Sequence, residues 1–467
     1  MDKRYFTNRL NPKIVWIIIL CIDLILVFLN KSTFDDGDSI LHFLQAHQAA
    51  YTPHLFLDMW AKPIFILLAW PFASFGWWGM KLFNTLCIFL STFFAYQLFI
   101  QLKLEQWWAI PLCLGAPAYF LVQSSGLTEP LFTVFLMAII YLEYRNKTVF
   151  ALILLSFLPF IRAEGWIIML MFSTYLIFAK KWTKLPYMAI GTILYGLIGT
   201  LFLGDFLFMF HENPYNGVEA KFGSGNIFHY LIQLPYIIGL PIFILLCLGL
   251  IRGIQLFITN RMELKEVFLV YGFSVGYILA QSIFWRFGLF HSFGMTRVLI
   301  VIIPLLAIIA YRGIEWLAML VPSKNANYIF AFYLLCILAF PFTKNKMGLK
   351  IEKSYKLNTN QMLITNVADW MIGNNLDKKP FYSNAYYLPM VLHKHLETTA
   401  ECSNFNLLHQ RPPEKGSLLI WDSYFAVTDA EISDTFIQNK FEVALLKEFT
   451  NADDSKPYTI KVYSVIK

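Results

Sequence analysis

The amino-acid sequence predicts an α-helical polytopic membrane protein of about eleven transmembrane helices, followed by a small C-terminal α/β domain. Three observations carry this. Hydrophobic residues make up 58% of the 467 and charged residues 14%, against roughly 45–50% and 25% in soluble domains. Apolar runs recur from residue 14 to residue 343, several close to the ~20 residues that span a bilayer. Charge is also unevenly placed: up to Thr343 there are 22 Lys and Arg against 16 Asp and Glu, and from Lys344 onward 15 against 14.

The first apolar run, 14–29, follows Lys3, Arg4, Arg9 and Lys13. No small-x-small cleavage site comes after it, so it is expected to be an uncleaved first span with its N-terminus in the cytosol. Further spans are expected at 79–101, 107–122, 128–142, 148–161, 164–179, 185–203, 231–251, 266–285, 297–311 and 328–343. The stretch 63–75 is brief and broken by Pro71, which suits a re-entrant or interfacial segment. With it excluded, fifteen Lys and Arg fall on the cytosolic side and seven on the outer connections, the asymmetry that sets orientation. The long outer connections are then 30–78, 204–230 and 285–296, and chemistry is expected on that face.

The domain division follows from the same pattern: a membrane domain over 1–343 and a soluble periplasmic domain over 344–467. In the tail, helices are expected at 361–374, 385–395 and 429–439, and strands at 418–421, 441–446 and 458–465. Five cysteines lie in apolar runs and Cys402 stands alone in the tail, which excludes a disulfide framework and a CxxC metal site. The excess of positive charge lies almost wholly in the membrane part, so nucleic acid is not expected as a partner.

Chemistry-bearing residues gather at the predicted outer turns. The segment FDDGDSILHF at 34–43 crowds Asp35, Asp36 and Asp38 directly after the first span. Crowded carboxylates raise at least one pKa. If Asp36 caps a helix, Asp38, His42 and Gln45 share one face at spacings of four and three. A carboxylate with such a His neighbour suits a general base; equally, Asp35 and Asp36 suit helix capping. Asp36 and Asp38 also imitate a DxD nucleotide-sugar motif, but no cytosolic segment is large enough to form the domain such a motif serves. The turn QSSGLTEP at 123–130 places Glu129 beside Thr128, either as a site residue or as a helix N-terminal acid. The turn PFIRAEGW at 159–166 offers Arg162 and Glu164, as part of a site or as a local ion pair. Arg286, His291 and Arg297 form a third group; arginines grip phosphate bidentately, or snorkel to the interface. Lys62, Lys221 and the pair His211 and Glu212 are weaker candidates. Asp23, inside the first span, is expected to pair with a neighbouring helix.

In the order of these motifs the chain resembles the GT-C superfamily of polytopic glycosyltransferases, which includes aminoarabinose transferases and mannosyltransferases fed by polyprenyl-phosphate sugars. The resemblance covers roughly the first 340 residues. It implies a first-loop aspartate as catalytic base, Asp38 first and Asp36 next, with Asp35 as the third acid of a loop where two are usual. It further implies a polyprenyl-phosphate sugar donor, a lipid, glycan or protein acceptor, a site at the outer face of a bacterial inner membrane, and inversion. Substrate binding falls to His42, Lys62, Glu129, Arg162, Glu164, Arg286, His291 and Arg297. No cofactor is required, although the three acids and His42 could hold a divalent metal. The rival from another class is a transporter or flippase for a lipid-linked substrate, using the same groups only to bind; no internal repeat of the transporter kind is visible.

Overall fold

The computed structural model describes residues 12–214, 223–322, 325–340, 343, 355–396, 401–451 and 457–466. Ten helices frame the site and its supports. They are α1 (Pro12–Leu29), α2 (Asp38–Gln48), α3 (Pro63–Ala73), α4 (Trp77–Gln101), α5 (Glu129–Tyr144), α6 (Gly165–Phe178), α7 (Leu240–Ile258), α8 (Leu264–Phe287), α9 (Thr296–Met319) and α10 (Thr359–Gly373). Among the described residues five helices are long and apolar enough to cross a membrane: α4, the segment Trp182–Leu203, α7, α8 and α9. Their outward side chains are large and apolar, with Leu201 and Phe202 80% and 76% exposed and Ile251, Ile254 and Ile258 also exposed. Surfaces of that kind are stable in hydrocarbon and not in water, so the chain is an integral membrane protein.

The central helix is α9, whose stretch from Leu299 to Ala310 is buried throughout. It packs on α7 at backbone distance: a Cβ on Gly249 would lie 1.8 Å from the Ile309 carbonyl oxygen, and one on Gly313 2.2 Å from that of Leu245. Only a residue without a side chain lets two helices approach so closely. Deeper in the bundle Arg312 of α9 reaches Glu266 of α8, Nη2 to Oε1 at 2.9 Å.

Four expectations are corrected in detail. The run 231–251 is two helices: Pro235 and Gly239, the latter at φ +84°, break it, and the second helix continues to Ile258. In the tail, the helix expected at 385–395 is only Tyr387–Val391, and that at 429–439 begins at Asp434, where the Ser433 hydroxyl accepts the Phe436 N–H at 3.1 Å and caps it. The strand expected at 441–446 runs over Val443–Asn451. Together β1 (Phe381–Tyr382), β2 (Cys402–Ser403), β3 (Leu418–Asp422), β4 (Val443–Asn451) and β5 (Tyr458–Val465) form one sheet in the order β2-β1-β3-β5-β4. Its β1 side is parallel and its β5 side antiparallel, with Phe381 opposite Leu418 and Ile420 opposite Val462. Helix α10 lies on it, Trp370 edge-on to Phe449 at 5.7 Å.

A polar seam between α1, α4 and the 123–127 turn fixes where the chain leaves the bundle. Gln123 Nε2 donates to Asp23 Oδ1 at 3.1 Å, so Asp23 pairs with a neighbouring segment. Asn30 Nδ2 donates to Ser124 Oγ at 2.7 Å, and the buried Lys81 ammonium donates to the Asn30 carbonyl. Asn84 Nδ2 donates to the carbonyls of Ser125 and Leu127 at 2.7 and 3.2 Å. The Gly126 N–H then reaches Ser39 Oγ at 2.8 Å, joining this turn to the start of α2.

Gly126 has no room for a side chain, since a Cβ would sit 2.2 Å from the Ser39 carbonyl oxygen. Gly126→Ala is therefore expected to destabilise by ~1–3 kcal/mol through overpacking. A Cβ on Gly373 would meet nothing within 4 Å, so Gly373→Ala should leave the apparent melting temperature unchanged or higher. Equal melting of the two purified variants would show that the contact carries no weight.

Candidate active site

The seam brings the 30–39 segment beside Glu129, and the acids then diverge. Asp35 turns its Oδ1 back to accept the N–H groups of Gly37 and Ser39 at 3.1 and 2.9 Å, an Asx turn that opens α2. Its Oδ2 faces Arg297 Nη1. Asp38, first residue of α2, meets Arg297 Nη2 through its own Oδ2. One guanidinium thus bridges two aspartates across 262 and 259 residues of sequence.

Asp36 points elsewhere. Its Oδ1 accepts from Asn358 Nδ2 at 2.6 Å and from Gln361 Nε2 at 2.8 Å, and Gln361 also donates to Thr33 Oγ1 at 2.6 Å. These partners open α10, so Asp36 ties the first loop to the C-terminal part. Two further contacts complete that tie. The Leu396 N–H donates to Gln48 Oε1 at 2.9 Å. Asp422 accepts the N–H groups of Tyr424, Phe425 and Ala426, a turn that sets the Phe425 ring against Gly37.

Around Arg297 the network continues inward. Its Nε lies 3.4 Å from Glu129 Oε1, which is itself 2.9 Å from Arg162 Nη1. Arg162 also donates to Thr128 Oγ1 at 2.7 Å and to Glu164 Oε1 at 2.9 Å. Glu129 is fully buried, and neither of its oxygens accepts a well-directed hydrogen bond. Both of its arginine contacts fall on Oε1, which leaves Oε2 without a partner among the described residues.

Lys62 stands at the mouth of α3, placed by a tight turn in which Asp58 Oδ1 accepts the N–H groups of Trp60 and Ala61 at 2.8 and 2.6 Å. It takes φ +73°, a strained value for a lysine, and is 4% exposed. Of the carboxylates around it, Glu164 acts on it more strongly than Asp58. His42 donates from Nδ1 to the Asp38 backbone carbonyl at 2.7 Å, its ring stacked on Trp60 at 4.5 Å. A carbonyl cannot donate, so Nδ1 carries the proton and Nε2 is left as the acceptor. His42 therefore reaches the Asp38 main chain and not its carboxylate.

Burial and charge separate the acids. Burial pushes Asp35 up to about 6 despite Arg297 beside it, with Asp38 and Glu129 adding to the rise. Burial also raises Asp36, against the hydrogen bonds from Asn358 and Gln361. Asp38 feels the same burial, but Arg297, His42 and Arg162 together outweigh it and hold the carboxyl below its usual range. Burial brings Lys62 down to about 8 and lowers His42.

Arg286 and His211 take no part in this network. Arg286 is exposed at the end of α8, and among the described residues it makes no ion pair with the network. His291 sits in the following turn at φ +52°. His211 is exposed and pairs with Asp205 at 2.7 Å, and Lys221 lies outside the described residues. Among the described residues no three His, Cys, Asp or Glu side chains converge on a point that could hold a metal ion. Asp35 and Asp38 share Arg297, whereas Asp36 turns to Asn358 and Gln361 and His42 to the Asp38 main chain. Sequence reasoning missed Asn358 and Gln361, whose role depends on a contact more than 320 residues away. It also missed Tyr277 and Gln281 of α8, buried polar residues one helical turn apart in an otherwise apolar span; the polar interruption at Gln281 and Ser282 was the available signal.

No family model matches the sequence, and no curated protein does. The fold is nevertheless similar to that of ArnT from Cupriavidus metallidurans. Its crystal structure bound to undecaprenyl phosphate matches with a TM-score of 0.61 and 10% identity, over 96% of this chain and 97% of that one. The apo crystal structure matches with a TM-score of 0.59 and 11% identity, over 97% and 98%. The chain therefore shares the fold of ArnT over nearly its whole length.

Proposed function

We propose that this protein is a membrane glycosyltransferase that moves one sugar from a polyprenyl-phosphate donor to a lipid, glycan or protein acceptor. One observation carries the reading. At a single end of the bundle, Arg297 joins Asp35 and Asp38 and touches Glu129, which Arg162 and Glu164 then link toward Lys62. A fold shared with ArnT, whose crystal structure holds undecaprenyl phosphate, supports the lipid-phosphate donor.

The chemistry asks for little else. A sugar on a lipid phosphate already has a good leaving group, so the enzyme supplies one base for the acceptor hydroxyl and cations for the departing phosphate. Asp38 is the base. Asp35 spends one oxygen capping α2, and Asp36 is held by Asn358 and Gln361. The phosphate falls to Lys62, Arg162 and Arg297. Both arginines already hold carboxylates, so an arriving phosphate exchanges for them and not for water. As it draws Arg297 away, Asp38 loses the charge that depresses its basicity, and the base strengthens with the donor in place. Glu129 and Glu164 keep the two arginines apart and oriented. A single base acting from the side opposite the leaving phosphate gives inversion.

The topology that suits this reading has about eleven crossings, a cytosolic N-terminus, a membrane domain over 1–343 and a periplasmic domain over 344–467 in a bacterial inner membrane. Nucleotide sugars stay in the cytosol, so a site on the far face needs a membrane-carried donor.

The test is transfer by the purified protein in nanodiscs, using lipid-phosphate sugars labelled in the sugar. The expected result is label in a covalent product with release of bare polyprenyl phosphate; movement of label across the bilayer with no new bond would favour the transporter. The pH profile adds a second check. With Asp38 as base, the acid limb of kcat/KM lies below the usual carboxylate range, whereas Asp35 as base would place it near 6.

A further inference from the structure

Buried polar atoms without a hydrogen-bond partner are rare in folded proteins and costly, and a cluster of them asks for a ligand. Such a cluster lies beside the arginine network. Tyr277 Oη, Gln281 Nε2, Arg162 Nε and Glu129 Oε2 are buried and take no directed hydrogen bond, while Glu129 Oε1 is held by its arginine ion pairs. Tyr277 and Glu129 are 0% exposed and Gln281 4%. The Tyr277 hydroxyl lies in the field of Glu164, Arg162 and Glu129, with Gln281 beside it. The direction in which α8 faces is settled by its opposite side: Val275, Leu279 and Ile283 are the exposed positions, four apart. Tyr277 and Gln281 therefore face the bundle interior.

The mixture of groups is informative. Arg162 Nε and Gln281 Nε2 donate, Glu129 accepts, and Tyr277 does both. A phosphodiester has only acceptors to offer and could not donate to Glu129 Oε2. A sugar hydroxyl donates and accepts at once, and several hydroxyls on a rigid ring match a divided set of this kind.

Resting on the glycosyltransferase reading, we propose that Tyr277 and Gln281, with Glu129, form the subsite that holds the donor's sugar ring, separate from the cations that hold its phosphate. Neither side chain touches the reacting bond in this scheme; both bind ring hydroxyls and so set which sugar is accepted.

The experiment measures equilibrium binding to the full chain in nanodiscs, without acceptor. The probes are bare undecaprenyl phosphate and a panel of undecaprenyl phosphates carrying a single pentose or hexose. Wild type should bind at least one glycosylated probe about tenfold or more tightly than the bare lipid. Tyr277→Phe and Gln281→Leu should each cut that preference by about tenfold, the cost of one buried hydrogen bond, and leave the bare lipid within about twofold. The ligand-free Tyr277→Phe protein should melt at or above the wild-type temperature, because it loses an unsatisfied hydroxyl; a structural role would lower it. Equal weakening of both probe types would assign the pair to the phosphate site and overturn the proposal, as would discrimination that survives in both variants, or none by wild type across the panel. Failure of wild type to bind even bare undecaprenyl phosphate would instead remove the glycosyltransferase reading on which the subsite rests.

Discussion

Asp38→Asn is expected to lower the transfer rate by about 10²–10⁴-fold, the usual worth of a positioned general base, while Asp36→Asn costs less than about tenfold. The contrast follows from where the two carboxylates point. Asp38 shares Arg297 with Asp35 at the junction of the first loop and α9, and its shape survives replacement by an amide. What is lost is the ability to take a proton. Asp36 accepts two amide donors from the start of α10, and an asparagine oxygen still accepts both. Asp35→Asn keeps the cap on α2, for which asparagine serves as well as aspartate, and should fall between the two. Initial rates on monodisperse protein at saturating donor make the comparison. Equal loss at positions 36 and 38 would remove the assignment of the base, because the two face different parts of the molecule.

How much of this was legible in the sequence depends on range. The crowding of three aspartates after the first apolar run, and the polar turns at 123–130 and 159–166, are local patterns and read directly. That Glu129 and the first loop lie side by side is a consequence of the seam through Asn30, Lys81, Asn84 and Gly126. Each member of that seam is an ordinary polar residue until its partner is known. Arg286 and Arg297 show the limit most clearly. Eleven residues apart, both with aromatic and glycine neighbours, they offer the same chemistry on paper. Arg297 enters the network because α9 is buried from Leu299 onward and carries its first turn into the site; Arg286 ends a helix whose outer side meets the surroundings. The same holds for Asp36, whose partners lie 322 and 325 residues on. The broken helix at Gly239 was readable in principle, since Pro235, Gly239 and Pro241 stand together, but strong hydrophobicity on both sides hides a break that backbone geometry alone reveals.

Arg297→Ala should be the most damaging single change to the folded state, expected to cost ~1–3 kcal/mol, between an exposed and a buried ion pair, because Glu129 is fully buried while Asp35 and Asp38 are partly exposed. The arginine side chain is only 14% exposed and faces Asp35, Asp38 and Glu129. Without it three carboxylates confront one another, with Arg162 as the nearest cation. Arg297→Lys restores charge but not the planar fork that grips two carboxylates at once, so stability should recover further than activity. The damage should also depend on pH in a definite sense. Asp35 already sits at about 6 with Arg297 present, and removing that cation moves it higher. The folded variant then holds a proton that an unfolded aspartate, near ~3.9, releases. A folded pKa above the unfolded one means stability is greatest in acid and is lost as pH rises between the two. The apparent melting temperature of Arg297→Ala should therefore approach wild type near pH 5 and fall away toward pH 8, and adding Asp35→Asn should flatten that slope. A variant that melts like wild type at every pH would mean that the carboxylates are not held together by Arg297, and the charge exchange by which the donor phosphate activates Asp38 would have no starting state.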